Sequence, residues 1–361
     1  MGLSCVRHFS SDLSIFFFII FSLVFGLVLE VNGESLDSKQ CDLFSGRWVK
    51  DETYPLYQLA MCPVTEKGFR CESNGRRDHT YTHYRWQPSA CNLLRFDGRD
   101  FLEKMRGKSI MFVGDSLSRN QWYSLICMLH SAVPNASYTQ CRVGKVSTFT
   151  FTEYEVNVMI HRNVYLVDLV QEKFGKVLKL DSIDQASKWW KGIDMLIFNT
   201  WHWWNRKGLT QIWDYIQVGS KIVKDMDRMK AYEEALKTWA AWVDANVDPR
   251  KVRVFFQGTS PTHFDGKDWN KPNESCNGQQ TPLPGSTYPA GLPPALGVLK
   301  NVLSRMKKPV TLLDITTLSQ LRIDGHPSIY FGDVGSTGSD CIHWCLPGIP
   351  DTWNQIFYNL I

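Results

Sequence analysis

The chain has 361 residues, 43% of them hydrophobic and 13% aromatic, enough for one large domain or one domain with a small lobe attached. Its 40 basic residues face 36 acidic ones for a net charge of +4, and no basic run appears, so composition gives no ground for nucleic acid as a partner. The same balance is compatible with an anionic polysaccharide without indicating one.

From the N-terminus, Arg7 and His8 precede an apolar run, Leu13–Leu29. This run is long for the core of a signal peptide and marginal for a bilayer span. Val31-Asn32-Gly33 then offers small or modest residues where signal peptidase cuts. Residues 1–33 are expected to be a cleaved signal or an uncleaved anchor, and either sends 34–361 into an oxidising lumen. No later apolar run is long enough to cross a bilayer. The cysteines agree with that compartment. Cys5 falls in the leader, and Cys41, Cys62, Cys71, Cys91, Cys127, Cys141, Cys276, Cys341 and Cys345 remain. They read first as disulfides, and their odd number leaves at least one thiol over. The sequons Asn135-Ala136-Ser137 and Asn273-Glu274-Ser275 are glycosylation candidates in the same compartment.

Residues 41–100 combine four cysteines with many turn formers, the pattern of an irregular, stapled subregion. Ser109–Val113 is a short apolar run ending at Gly114, which suits a buried strand. Residues 117–129 read as a helix with Trp122, Leu125, Ile126 and Leu129 on one face. Strand-like runs follow at 146–151, 155–160, 164–170 and 193–198, then a long amphipathic helix at 225–246. Apolar strands at 252–256 and 310–313 flank a long Pro- and Gly-rich loop (265–293) and a helix at 295–306; 352–361 reads as a final helix. Strands spaced by helices predict an α/β fold with a mainly parallel sheet covered on both faces. In such sheets the site lies beyond the carboxyl ends of the strands, which selects residues 114–116, 199–202 and 257–263.

Gly114-Asp115-Ser116 sits at a strand-to-helix junction. Glycine permits the sharp turn, and Ser116 then stands at a helix N-terminus whose free N–H groups can hold an oxyanion. Taken alone, the same residues describe an ordinary helix cap, and the hydrolase elbow G-x-S-x-G is absent. Asp340-Cys341-Ile342-His343 brings a carboxylate and an imidazole to one side of a helical turn. A serine hydroxyl needs such a base, and the base needs a carboxylate to orient it. Taken alone, D-x-x-H also fits a solvated loop pair. A zinc site at Cys341, His343 and Cys345 is the rival, disfavoured by the tight spacing and the lack of a second ligand cluster. The 14 tryptophans include the pairs Trp189-Trp190 and Trp203-Trp204, whose rings suit sugars in a cleft or a packed core equally well.

These motifs together resemble the SGNH-type esterases and, more narrowly, the plant trichome birefringence-like family of polysaccharide O-acetyltransferases. The resemblance rests on Cys41-Asp42-Leu43-Phe44-Ser45-Gly46-Arg47-Trp48-Val49, Tyr84-Arg85-Trp86-Gln87-Pro88 and Val113-Gly114-Asp115-Ser116-Leu117-Ser118-Arg119-Asn120-Gln121. It continues through Phe198-Asn199-Thr200 and His202-Trp203-Trp204 to Asp340-Cys341-Ile342-His343-Trp344-Cys345-Leu346-Pro347-Gly348. Trp201 stands where that family often has Gly, a departure expected to reshape the acceptor side of the cleft. The resemblance implies a three-layer α/β core with a smaller disulfide-stapled lobe drawn largely from 41–100. It implies an acetyl-serine at Ser116, with Asp340 and His343 as its partners. Oxyanion donors are then the Ser116 backbone N–H, Asn199 and Arg119. It also implies the pairs Cys41–Cys91, Cys62–Cys127, Cys71–Cys345 and Cys276–Cys341, which leaves Cys141 as the unpaired thiol.

Three functions follow from that resemblance. The first is an O-acetyltransferase acting on a cell-wall polysaccharide such as xylan or pectin. The second is an acetylesterase that releases acetyl groups from pectin or another wall polysaccharide. The third is a wall-polysaccharide binding protein without turnover. No bound cofactor or metal is expected, only an acetyl donor as co-substrate. A membrane is met only through the N-terminal segment, and the location is the Golgi membrane or the cell wall.

Overall fold

The computed structural model describes residues 3–8, 41–332 and 338–361. The apolar run Leu13–Leu29, on which the signal or anchor expectation rests, lies outside the described residues. Among those described, no helix is long and apolar enough to cross a membrane.

In chain order the strands are β1 (Leu3–His8), β2 (Gly46–Lys50), β3 (Tyr84–Pro88), β4 (Ser109–Gly114), β5 (Tyr138–Val143), β6 (Val146–Phe151) and β7 (Val156–Arg162). They continue as β8 (Asp168–Glu172), β9 (Gly175–Lys179), β10 (Met195–Phe198), β11 (Tyr215–Val218), β12 (Lys221–Val223), β13 (Arg253–Gln257) and β14 (Thr311–Leu313). The helices are α1 (Gly98–Lys104), α2 (Ser116–Ala132), α3 (Asp184–Ser187), α4 (Arg228–Asn246), α5 (Pro294–Leu303), α6 (Thr316–Gln320) and α7 (Ile349–Asn359).

Eight strands form the main sheet in the order β1-β5-β6-β7-β4-β10-β13-β14. From β7 to β14 every pairing is parallel, and β6, β5 and β1 extend the sheet as an antiparallel wing. Side chains alternate across the parallel strands, so the sheet carries a core on each face. Ile110 and Phe112 of β4 with Met195 and Ile197 of β10 join one core, against α2 and α7. Met111 and Val113 with Leu196 and Phe198 join the other, against α4 and α5. Helices on both faces of one sheet make the expected three layers.

The segment 41–100 holds little regular structure and is tied by disulfides within itself and to Cys127 and Cys345. Its one regular pairing is β2 against β3, closed by an edge-on Trp48–Trp86 contact at 5.5 Å. Disulfides Cys41–Cys91, Cys62–Cys127, Cys71–Cys345 and Cys276–Cys341 are all present. Cys141 is a correction: it is not a free thiol. Antiparallel pairing of β1 with the outer edge of β5 places Cys5 opposite Cys141, and the two are bonded.

Two further differences concern local structure. Residues 164–170 are not one strand: Tyr165, Leu166 and Val167 form a buried turn with Leu166 in the left-handed region (φ 63°), and β8 begins at Asp168. A second sheet, β12-β11-β9-β8, then covers part of the α4 side.

Candidate active site

β4 ends at Gly114 and α2 begins at Ser116, with Asp115 as the cap between them. The Asp115 carboxylate accepts from the Leu117 N–H and from the Asn199 side-chain amide, each at 2.9 Å. A Cβ on Gly114 would lie 2.5 Å from the Asn199 carbonyl oxygen, so glycine is what lets β4 and β10 end this close together. Ser116 is therefore fixed at the positive end of a 17-residue helix.

His343 reaches Ser116 from the other side. Its Nε2 lies 2.6 Å from Ser116 Oγ, and its Nδ1 lies 2.6 Å from Asp340 Oδ2. An ionised carboxylate only accepts, so Nδ1 carries the ring proton and Nε2 is free to accept from the serine hydroxyl. Burial pushes the Asp340 carboxyl up, but the His343 ring hydrogen bond and the N–H groups of His343 and Ile342 outweigh it and hold it down at about 2. The spacing of three works differently from the expected helical turn. Residues 340–343 are not helical; Asp340 Oδ1 accepts from the Ile342 and His343 N–H groups, each at 3.0 Å, and builds the turn itself.

This loop is fastened throughout. Cys276–Cys341 and Cys71–Cys345 flank His343. Asn120 of α2 clamps the Trp344 main chain, accepting from its N–H at 2.8 Å and donating to its carbonyl at 3.2 Å. The Phe69 ring of the 41–100 segment lies 5.6 Å from the His343 ring. With Cys341 and Cys345 consumed in disulfides, the rival zinc reading loses its thiolates, and no group suited to a metal occurs among the described residues.

The oxyanion candidates sit in different settings. Asn199 is buried, with one amide N–H engaged by Asp115. Arg119 turns toward the 41–100 segment, where it binds Glu66 at 2.8 Å. His202 is a site residue to which sequence reasoning gave no role, although the strand-end rule had selected its stretch. Its buried Nε2 has no partner among the described residues, and burial lowers its pKa, with Asp115 opposing and His343 adding. Trp201 packs edge-on against Tyr232 of α4 at 5.2 Å. Both sequons, at Asn135 and Asn273, lie exposed in turns outside the sheet.

Two clefts of about 570 Å³ each share Arg142, Lys145 and Arg162, and the first of them is lined by Arg119, Trp122 and Tyr123 of α2. The first also holds Arg70 and Arg119; the second holds Trp189 and Trp203. The tryptophan pairs thus divide their work: Trp190 and Trp204 are buried in the core, while their neighbours line a cleft. Arg70, Arg142, Lys145 and Arg162 have no carboxylate partner among the described residues.

A serine on the turn after a central parallel strand, met by an Asp–His loop from the C-terminus, belongs to the SGNH-like class of acyl-esterases. Residues 93–360 match the GDSL/SGNH-like acyl-esterase family found in Pmr5 and Cas1p, and residues 39–92 match the PMR5 N-terminal domain. The chain is 55% identical to protein trichome birefringence-like 41 of Arabidopsis thaliana, over 94% of this chain and 95% of that one. It is 55% identical to trichome birefringence-like 38 of the same plant, over 88% and 83%, and 41% identical to trichome birefringence-like 6, over 91% and 72%. The chain belongs to the trichome birefringence-like family.

Proposed function

We propose that this protein is an O-acetyltransferase that moves an acetyl group from a donor to a hydroxyl of a cell-wall polysaccharide through an acetyl-serine at Ser116. The observation that carries the reading is the unbroken relay Ser116 Oγ–His343–Asp340, with 2.6 Å at each link. In the first half, Ser116 Oγ attacks the acetyl carbonyl while His343 Nε2 takes its proton. The bond to the donor then breaks, and His343 returns that proton to the leaving group. In the second half, His343 takes the proton of a sugar hydroxyl, whose oxygen attacks the acetyl carbonyl; the bond to Ser116 Oγ breaks and His343 returns the proton to that oxygen. Asp340 keeps the ring in the right tautomer and stabilises its cation. The carbonyl oxygen becomes negative in both halves. The first-turn N–H groups of α2, beginning with that of Ser116, would receive it, together with the second amide N–H of Asn199; Arg119 stands at the rim.

Cations without a carboxylate partner among the described residues and half-buried indoles lining the two clefts favour an acidic wall glycan such as pectin over a neutral one. If water enters in place of the sugar, the same relay is an acetylesterase on that glycan. A binding protein without turnover would have no use for the relay. The reaction belongs to the secretory pathway, in the Golgi lumen or the wall. The test is to incubate the purified protein with an acetyl donor and with xylan, mannan or pectin oligomers. Acetyl gain supports transfer, acetyl loss supports the esterase, and neither with any oligomer would sink both.

A further inference from the structure

Behind the candidate catalytic loop two imidazoles touch that the acyl chemistry does not use. His263 follows β13 and His326 follows α6, and both are fully buried, at 0% and 1% exposure. His263 Nε2 lies 3.0 Å from the Gln320 carbonyl oxygen, and His326 Nδ1 lies 2.7 Å from the His343 carbonyl oxygen. Carbonyl oxygens only accept, so each of these nitrogens carries its ring proton. The other two nitrogens, His263 Nδ1 and His326 Nε2, face each other at 2.6 Å. Gln320, His263, His326 and His343 thus form a row with three gaps, and each gap needs one proton. Two neutral imidazoles supply only two.

We infer that the His263–His326 pair holds a third proton in the gap between its rings, and that this buried monocation is a positioning device for His343. The groups around it divide. Burial opposes the charge on both rings and by itself pulls each well below the ordinary imidazole value, so the charge is inferred from the 2.6 Å contact between their two remaining nitrogens. Arg76, which donates to the His326 carbonyl at 3.1 Å from the 41–100 segment, also opposes the charge, and so does His343 itself. Asp340 favours the charge from the C-terminal loop. The buried Arg322–Asp324 pair beside His326 is internally balanced at 2.8 Å. On the His263 side the neighbours are the uncharged rings of Trp269 and Tyr288. The His326 ring stacks on Trp344 at 4.0 Å and 20°, the geometry in which an indole face attracts a cation. A neutral pair would instead leave lone pair against lone pair in one of the three gaps.

The consequence for the site rests on reading His343 as the base. Hydrogen bonding to its carbonyl fixes the main chain from which the ring projects. The charge behind it opposes the imidazolium that forms there during turnover.

The test uses the full chain with ¹⁵N-labelled histidine. Ring resonances of His263 and His326 should show three protonated nitrogens out of four from about pH 5 to pH 8. The proton shared between the rings should vanish in His263→Gln, while the His343–Asp340 proton stays. His263→Gln keeps a donor toward His326 without the charge, so the acid limb of the kcat/KM profile should move up by about one pH unit. His326→Gln loses the bond to the His343 carbonyl, and kcat should fall by about tenfold with KM little changed. Two protonated and two bare nitrogens in the wild-type protein would overturn the inference, whether or not the variants fold. The ring resonances should persist in Ser116→Ala, so this result stands or falls separately from the acetyl reading.

Discussion

Ser116 is held by regular structure and His343 by fastenings. The serine stands where a buried strand of the sheet passes into the helix above it, with Asp115 and Asn199 closing the turn. Folding the sheet places it. The histidine stands on a loop with no helix or strand of its own. Two disulfides, the Asn120 clamp, the Ser328–Asp340 bridge and the His326 contact do there what backbone ladders do for the serine. One half of the site is thus set by hydrophobic burial, and the other by covalent and polar ties that depend on an oxidising environment.

The largest expected effect falls on the regular half. Ser116→Ala removes the atom that carries the acetyl group, so turnover and the acetyl-enzyme seen by intact mass should both disappear. Wild-type turnover in folded protein would end the serine mechanism. On the loop half, Asp340→Asn keeps the shape but favours the wrong ring tautomer. Its kcat should drop by about 10⁴, with substrate binding retained in a direct binding assay. Replacing the staple by Cys71→Ser with Cys345→Ser opens a connection spanning 274 residues. It should cost about 2–5 kcal/mol, and activity should be lost at temperatures where far-ultraviolet circular dichroism still reports an intact sheet. Full turnover in that folded double variant would show that the staple does not position His343. The smallest effect is expected at the tie between the halves. Asn120→Ala strands the buried Trp344 N–H and should cost about 1–3 kcal/mol in thermal melting, with a fall in kcat and little change in KM.

The same contrast decides what the sequence revealed. β4, β10 and β13 carry the apolar runs Ile110–Val113, Met195–Phe198 and Val254–Phe256 because both of their faces are covered, and these read as buried strands at once. Gly114-Asp115-Ser116 was legible because it directly follows such a run. The antiparallel wing was harder. β5 reads Tyr-Thr-Gln-Cys-Arg-Val and is half-buried along most of its length, so it shows no clear two-residue alternation. The strands of the second sheet have three to five residues and include sequences such as Lys-Ile-Val and Gly-Lys-Val-Leu-Lys, too short and too charged to stand out. Asp340 and His343 were found through their spacing, although the turn that joins them is built by the Asp340 carboxylate and not by a helix. The His263–His326 contact spans 63 residues between two loops, and nothing local marks it.

The strand β1 has a consequence of a different kind. Its partner β5 lies far beyond Leu13–Leu29, and Cys5 is bonded across to Cys141. A segment that threads a bilayer once puts the residues before it and after it on opposite sides. A chain with β1 in the sheet has both flanks of that segment in one compartment, so a single crossing and the Cys5–Cys141 bond exclude each other. Removal of the leader near Glu34 would likewise strip Cys141 of its partner. Alkylation of folded, non-reduced protein from a plant host, followed by peptide mapping, therefore reports sidedness at one atom. Cys141 stays unlabelled where the N-terminal strand shares the lumen with the sheet, and takes the label where that strand has been cut away or left across the membrane.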